Sequence, residues 1–200
     1  MKKLKLCCLI IICSSCFGGK SLTNEEIQEV AKSHQAMFSL LVKQNDESII
    51  QDFYHGKNEN SLVNVQSITK SLMALLVGIA IDEGNIKSAD ETINSFIPEI
   101  LTDKNDPHSK ITIQHLMDQT SGLKWNGFTE LEKWSNGANP TADILQRKII
   151  STPGEVYNYN SAATHLLSPI LEKATGQSTL DFAKEKLFAP LGIDIVDWKN

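Results

Sequence analysis

The chain has 200 residues, of which 41% are hydrophobic, so it is long enough and apolar enough to bury the core of one domain. Its formal net charge of −5 is mild, and beyond the N-terminus no basic run is interleaved with aromatic residues. This composition excludes an intrinsically disordered chain and argues against nucleic acid as a partner.

Residues 1–16 have the pattern of an export signal. Lysines precede an apolar run over residues 6–13, which is too short to span a bilayer as a permanent helix. Small residues directly before Cys16 are typical of the cleavage site of bacterial lipoproteins, so the sequence predicts cleavage there and a lipid on Cys16. Cleavage near Gly18 or Gly19 and an uncleaved anchor are the alternatives. We therefore expect an exported protein, periplasmic or in the cell envelope, attached to the membrane through this lipid.

The next predicted elements are a helix and a β-hairpin. Thr23 and Glu26 form a capping-box pattern, and apolar residues at helical spacing follow for three to four turns. Two β-rich runs, over residues 38–44 and 47–55, are separated by an Asn-Asp pair that favours a tight turn. A polar crossing then leads into the second helix.

The second helix is predicted from Ser67 to Glu83, with Gly84 as a left-handed residue after its end. Apolar residues occupy both sides of this helix, so the pattern predicts that it is buried all round. These residues are Ile68, Leu72, Leu75, Leu76 and Ile79 on one side and Met73, Val77 and Ile81 on the other.

The remainder of the chain is predicted to be mostly helical, with neither internal repeats nor low-complexity tracts. Gly176 marks the end of the fourth of these shorter helices. The predicted ranges are 88–100, 111–123, 140–150, 161–174 and 179–187.

Ser67 and Lys70 are the first candidates for catalysis. Residues three apart on a helix share a face, so both side chains are expected to point the same way. A lysine whose burial lowers its affinity for a proton can activate a serine, and the first N–H groups of the helix can help to bind an oxyanion. The same spacing recurs at Ser121 and Lys124, but nearby glycine and asparagine predict a turn, in which the two side chains need not meet.

The segment PGEVYNYNS supplies the second candidate. Its Pro-Gly pair predicts a turn, and two tyrosines alternate with asparagines before a helix. Beside Ser67 and Lys70, a tyrosine of this segment could share or relay the proton of the nucleophile, and the lysine charge would make its phenol more acidic. The alternative is that Tyr157 and Tyr159 are half-buried loop aromatics and that Ser161 is the N-cap of the helix.

The chain resembles the β-lactamase-related serine hydrolases over residues 36–198, in ordered blocks that include SITKS, ITIQHLMDQTSGL, PGEVYNYNS, LLSPILEKATG and LFAPLGI. That family includes class C β-lactamases, D-alanyl-D-alanine carboxypeptidases, family VIII esterases and 6-aminohexanoate-dimer hydrolases. The resemblance implies an α/β (α+β) fold of the β-lactamase/transpeptidase type and a reaction that needs neither a metal nor an organic cofactor.

The resemblance also implies roles for individual residues. Ser67 and Lys70 match the S-x-x-K nucleophile and base, and Tyr159 matches the tyrosine of the Y-x-N motif. Ser161 replaces the asparagine of that motif, and its shorter hydroxyl cannot offer a substrate the same amide contact. Trp125 resembles a substrate-pocket position, although core packing explains it equally well. The implied substrate is a small or cell-wall-derived molecule with an ester or amide bond, including a β-lactam or a D-alanyl peptide.

The chain departs from the family in a second and larger respect. The third family motif, a lysine or histidine followed at short spacing by glycine on a strand, has no convincing counterpart, and the closing strands of the antiparallel sheet are absent from the sequence. We therefore expect a signal over 1–16 and a truncated β-lactamase-related domain over 17–200. Residues 17–60 would hold the helix and hairpin, and residues 61–200 the nucleophile helix and the helical region.

Other chemistries find little support. The sequence has no G-x-S-x-G elbow, no glycine-rich phosphate loop and no paired histidine spacing, so no metal or cofactor site is predicted. All four cysteines lie at or before Cys16, so no disulfide is predicted beyond it. The predicted function is a serine hydrolase that acts on an ester or an amide through an acyl-enzyme. The alternative is a non-catalytic surface lipoprotein, or an inactive fragment that retains part of the fold.

Overall fold

The computed structural model describes residues 22–97 and 106–194, which belong to two compact units. The first unit begins the described chain and ends at Val65, and the second begins at Gln66. The predicted signal and the predicted lipidation site at Cys16 lie outside the described residues. Within the described part of the chain, no helix is long and apolar enough to cross a bilayer.

The first unit begins with helix α1, Asn24–Ser33. The Thr23 hydroxyl accepts a hydrogen bond from the backbone N–H of Glu26, and the Glu26 carboxylate accepts one from the backbone N–H of Thr23. These two bonds satisfy two N–H groups that the start of a helix leaves without a partner. The predicted capping box is therefore confirmed.

The hairpin of the first unit consists of strands β1, Ser39–Gln44, and β2, Glu47–Phe53, which pair antiparallel. Asn45 and Asp46 between them have φ values of 49° and 65°. Two consecutive residues with positive φ are what a two-residue hairpin turn requires, because that turn matches the twist of the strands. The hairpin predicted from the sequence is confirmed, and it is the only sheet within the described residues.

The second unit begins with helix α2, Ile68–Asp82, directly after Ser67. Gly84 has a φ of 77° and follows the end of the helix, as predicted. The expectation that α2 is buried all round is wrong, because Leu75 is 54% exposed. One side of α2 faces the core, through Met73, Leu76, Val77 and Ala80.

Most of the remaining helices of the second unit are short, although the helix predicted over 179–187 forms over its whole length as an α-helix followed by a π-helical turn. Single turns of 3₁₀ helix lie at Ile93–Ser95, Pro107–Lys110 and Gly127–Glu130, and a π-helical turn lies at Lys184–Phe188. The α-helices are α3 (Ile113–Met117), α4 (Leu131–Ser135), α5 (Pro140–Leu145), α6 (Ser161–His165), α7 (Leu167–Thr175) and α8 (Thr179–Ala183).

The helix predicted over 161–174 is divided into α6 and α7, which meet at Leu166. Pro169 explains the division, because proline has no N–H to bond the carbonyl of His165 four residues earlier. Gly176, with a φ of 71°, ends α7 in the left-handed conformation. The predicted end of this helix is thus confirmed, and the break within it was missed.

Pairing between separate segments explains two further differences. The prediction of a helix over 88–100 is wrong for the described residues of that range. The Ile93 N–H bonds the Ile111 carbonyl, and the helical structure there is a single 3₁₀ turn. The helix predicted over 140–150 ends at Leu145, because Ile149 forms an isolated β-bridge with Leu123.

The core of the second unit lies where α2 packs against α7 and α7 packs against α8. Each large apolar side chain that is fully buried contributes roughly 1.5–3 kcal/mol to stability, so this core fixes the helices that carry the candidate residues. The largest fully buried side chains are Phe182, Leu76, Ile86, Ile93, Ile111, Ile113, Leu116, Leu123, Ile144, Leu166, Leu167 and Ile170.

Candidate active site

Ser67 lies at the start of α2 with its hydroxyl turned away from the helix. Gln66 before it has a φ of 49°, and Ser67 itself is already helical, with φ −71° and ψ −3°. A serine that caps a helix usually has an extended backbone, which directs its oxygen to the free N–H groups of the first turn. In the described structure Ser67 makes no such capping bond, so its exposed hydroxyl is available to other groups.

Three side chains converge on one point beside Ser67. Its Oγ lies 2.6 Å from Tyr159 Oη and 3.3 Å from Lys70 Nζ. Lys70 Nζ also donates a hydrogen bond to Ser161 Oγ, at 3.2 Å. The structure therefore brings together all four residues that the sequence placed in the S-x-x-K and Y-x-N positions.

The Lys70 ammonium lies 4.8 Å from the centre of the Tyr159 ring, and both side chains are half-buried. A hydrogen bond from Ser67 lowers the pKa of Tyr159, and hydrogen bonding and charge from Lys70 act in the same direction, against a smaller rise caused by burial. A phenol with a lowered pKa gives up and takes back a proton more readily at neutral pH. Tyr159 therefore has the electrostatic setting of a proton-transfer group.

Asn160 and the residue after it begin helix α6. The Asn160 side chain caps the helix by accepting a hydrogen bond from the Ala163 N–H at 2.9 Å. Ser161 is the first helical residue, so the alternative that Ser161 is the N-cap is wrong. Its hydroxyl is therefore free to accept the bond from Lys70.

The second serine-lysine pair of the sequence is arranged differently. Ser121 is only 3% exposed, and Gly122 after it is left-handed with a φ of 76°. The Lys124 N–H bonds the carbonyl of Lys148, which holds this segment in an extended ladder. Leu123 and Lys124 therefore lie in a paired, extended segment and not in the predicted turn, so this serine and lysine lack the helical relation of Ser67 and Lys70.

A small hollow opens beside Tyr159, between the side chains of Trp125, Phe128, Leu131 and Ser161. Its volume of about 10 Å³ is enough for roughly one water molecule. Phe128 is 75% exposed, and its ring centre lies 6.2 Å from that of Tyr159. An apolar ring at this edge can pack against the part of a substrate that extends past Ser67.

Trp125, the candidate substrate contact, is mostly a core residue. Its ring is 7% exposed, meets Trp134 edge to face at 5.8 Å and lies 4.9 Å from the Arg147 guanidinium. It reaches the site only as one wall of the small hollow. Tyr157, the other tyrosine of its segment, is 67% exposed, so Tyr159 alone of the two reaches Ser67.

His108 and His115 make structural contacts. His115 completes a capping box with Thr112 at the start of α3. His108 lies between the Asp106 carboxylate and the Arg147 carbonyl. Among residues 22–97 and 106–194, no group of three or more His, Cys, Asp or Glu side chains is arranged to hold a metal ion.

Two residues near the site were not singled out from the sequence. Phe128 follows a glycine in a polar stretch, and nothing in its neighbours distinguishes it from a surface residue. Gln119 belongs to the block ITIQHLMDQTSGL, and it is buried although it follows the end of a helix. A polar residue within an otherwise apolar, ordered block is the signal that could have identified Gln119.

Comparisons with known proteins place this geometry among characterised folds. Residues 38–198 match the family model described as Beta-lactamase. Penicillin-binding protein 4* of Bacillus subtilis (strain 168) is 30% identical over 143 residues, which make up 68% of this chain and 30% of that protein. The chain spans 30 to 40% of the length of the curated relatives that it matches.

Solved structures show the same fold. A class C beta-lactamase mutant superposes with a TM-score of 0.56 at 23% identity, over 71% of this chain and 37% of that one. A D-stereospecific amidohydrolase from Streptomyces sp. superposes with a TM-score of 0.55 at 23% identity, over 68% and 44%. The predicted β-lactamase/transpeptidase-like fold is therefore confirmed.

Proposed function

Because the chain belongs to the beta-lactamase family, whose members are serine hydrolases, we propose that it cleaves an ester or an amide through an acyl-enzyme on Ser67. The observation that carries the proposal is the convergence of Lys70 Nζ and Tyr159 Oη on Ser67 Oγ, at 3.3 and 2.6 Å. A serine hydroxyl becomes a strong nucleophile only when a base within hydrogen-bond reach accepts its proton. Both partners of Ser67 meet that requirement.

In the proposed reaction, Ser67 Oγ attacks the substrate carbonyl while its proton passes to Lys70 Nζ, which takes part in this step as the uncharged amine. The tetrahedral intermediate then collapses, and Tyr159 gives a proton to the leaving oxygen or nitrogen as its bond to the carbonyl carbon breaks. Lys70, which lies against the Tyr159 ring, returns the proton to the phenol. Water then attacks the acyl carbon and loses a proton to the same pair. The bond between that carbon and Ser67 Oγ breaks, the carboxylic acid leaves, and the pair returns the proton to Ser67 Oγ.

The substrate that we propose is a small or cell-wall-derived molecule, with a β-lactam or a D-alanyl peptide among the candidates. Ser67 is exposed, so the carbonyl can approach from solvent. Ser161 offers a hydroxyl where the resembling family has an amide, and Lys70 already donates to that hydroxyl. Because this removes an amide contact to a peptide-like substrate, we favour an ester or a small amide.

Covalent labelling tests the proposal. The full chain is treated with a fluorophosphonate or a penicillin probe, and intact-mass measurement with peptide mapping locates the adduct. We expect one adduct on Ser67 that is lost in Ser67→Ala. The matched control is Ser121→Ala, which changes the other serine of an S-x-x-K spacing and should leave labelling intact. Equal labelling of Ser67→Ala and the unsubstituted chain would show that the assignment is wrong.

The alternative is a non-catalytic surface lipoprotein or an inactive fragment that keeps part of the fold. Its supporting observation is that Ser161 stands where the resembling family has an asparagine, so one amide contact to a substrate is missing. The same labelling experiment separates the two functions. A folded chain with a cooperative melt that takes up neither probe would favour the binding protein.

The export signal leads to a proposal on location. We propose that the chain is cleaved before Cys16 and that a lipid on this residue holds it in the cell envelope. Cells grown with a palmitate analogue should label the chain, and Cys16→Ala should abolish the label. Absence of label on the unsubstituted chain would favour cleavage near Gly18 or Gly19.

A further inference from the structure

Gln119 contacts the chain on both sides of Tyr159. Its backbone carbonyl accepts a hydrogen bond from the Asn158 N–H at 2.8 Å. Its side-chain Oε1 accepts another from the Asn160 N–H at 2.7 Å. One residue therefore holds the backbone N–H groups of the two residues that flank the tyrosine that reaches Ser67.

The side-chain amide of Gln119 is itself held in one orientation. Its Nε2 donates to Thr164 Oγ1 at 2.7 Å and to the Leu116 carbonyl at 3.2 Å. Because both donors of the amide are used, Oε1 must face the Asn160 N–H. The side chain is 7% exposed, so water cannot easily replace these bonds.

The backbone of Gln119 adds a second, independent observation. Its φ is 62°, in the left-handed region that residues with a side chain rarely adopt. Glycine would occupy this position without strain. The glutamine therefore has an unfavourable backbone conformation, and its amide holds the tyrosine segment. Strained backbone conformations of this kind cluster at functional sites.

We infer that Gln119 is a positioning residue, which fixes the Tyr159 phenol on Ser67 Oγ by bonding the backbone N–H groups of the two residues that flank the tyrosine. This inference rests on the proposed serine hydrolase function. The contact it serves is short, 2.6 Å between the two hydroxyl oxygens. A displacement of about 1 Å at a reacting group can cost on the order of 10²-fold in rate.

The first test compares Gln119→Met, which has a similar length but no hydrogen-bonding atoms, with a control in the same unit. The control is Thr179→Val, which removes a buried hydroxyl that bonds Ser168 and does not contact the tyrosine segment. We expect Gln119→Met to lower the maximal rate of Ser67 acylation by 10- to 100-fold with little change in probe affinity. Thr179→Val should change the rate by less than twofold at a similar loss of thermal stability.

The second test asks whether Gln119 acts through Tyr159. In a chain that already carries Tyr159→Phe, Gln119→Met should lower the acylation rate by less than a further twofold. If the two effects multiply, Gln119 acts by another route and the inference fails. Gln119→Glu is the second variant, because its carboxyl keeps an oxygen for the Asn160 N–H. It should retain more of the rate than Gln119→Met.

A third readout separates this inference from the proposed function. The ring of Tyr159 is labelled with ¹³C in the full chain, and its pKa is measured by NMR titration. Lys70 is the charged side chain that faces the phenol among the described residues, so a displaced phenol should titrate nearer its ordinary value in Gln119→Met and not in Thr179→Val. A shifted titration without acylation of Ser67 would uphold positioning and refute the hydrolase. An unchanged titration would overturn positioning, whatever happens to the rate.

Discussion

Ser67 and Tyr159 are 92 residues apart in the sequence, yet their hydroxyl oxygens lie 2.6 Å apart. No other candidate partner approaches Ser67 Oγ as closely among the described residues, since Lys70 Nζ is 3.3 Å away. A hydrogen bond of this length can carry a proton directly between the two hydroxyls. Ser67 therefore has two hydrogen-bonding partners, Tyr159 and Lys70, and each can be removed separately.

Tyr159→Phe should slow acylation of Ser67 by about 10² to 10⁴-fold, the range that positioned acid–base groups contribute. The ring and its packing against Phe128 are retained, so probe affinity should change little. The measurement is the rate of covalent labelling as a function of probe concentration. Tyr157→Phe, the same change at a 67% exposed position, is the control and should react like the unsubstituted chain.

Lys70→Met should also slow acylation by about 10² to 10⁴-fold, because it removes the group proposed to take the serine proton. Methionine keeps the apolar stem, so α2 should remain folded. The control is Lys124→Met, at the lysine of the second S-x-x-K spacing, which is exposed and lies in an extended segment. Similar losses in both variants would contradict a specific role for Lys70.

The pKa of Tyr159 should rise when either of its partners is removed. Hydrogen bonds from Ser67 and Lys70 favour the charged phenolate, which lowers the pKa, so Ser67→Ala and Lys70→Met should each move the titration to higher pH. The hydrogen bond from Ser67 is the largest single cause, and Lys70 acts through both a hydrogen bond and its charge. NMR titration of ring-labelled tyrosine gives the values, and a fall after either substitution would contradict this account.

Gly122→Ala should destabilise the second unit more than Gly84→Ala. Both glycines are left-handed, with φ values of 76° and 77°, so the backbone strain of an alanine lowers the stability by about 1 kcal/mol at each position. At Gly122 a Cβ atom would also lie 2.2 Å from the Ser151 carbonyl oxygen, whereas at Gly84 nothing lies within 4 Å. We therefore expect a total of roughly 2 to 4 kcal/mol at Gly122, measured by urea unfolding. Equal losses would show that Ser151 can move aside.

His165 should make the stability depend on pH. Burial lowers its pKa below 6.5, against a smaller opposing effect of Glu172. Between the lowered value and 6.5 the unfolded chain binds a proton that the folded chain does not, so the free energy of unfolding falls as pH decreases through this window. His165→Gln should reduce the fall. The free energy of unfolding of both chains is measured from pH 8 to 4.5. Equal slopes in His165→Gln and the unsubstituted chain would contradict the prediction.

The sequence predicted the elements whose signals are local. The capping box at Thr23, the hairpin turn at Asn45 and Asp46, and the glycine ends of α2 and α7 all depend on residues within a few positions of one another. The S-x-x-K serine and lysine were found for the same reason, because one turn of helix fixes their relation. The tyrosine was identified only through its resemblance to a family motif.

Long-range features were not predictable in this way. The exposure of Leu75 depends on which elements pack against α2, and an apolar pattern alone cannot show that one side has no neighbour among the described residues. The short α3 ends near Gln119 because this residue takes a left-handed backbone to reach Asn158 and Asn160, 39 or more residues later. Tertiary hydrogen bonds there prevail over helix propensity.

The separation between Ser67 and Tyr159 also orders events during folding. Closing a loop of 92 residues costs about 4 kcal/mol of chain entropy. The helix that carries Ser67 and Lys70 can form from local contacts on the microsecond scale, well before that loop closes. We therefore expect the chain to pass through partly helical states in which Lys70 already faces Ser67 but the phenol has not arrived. The arrangement of Ser67, Lys70 and Tyr159 that the proposed reaction needs should therefore form late in folding.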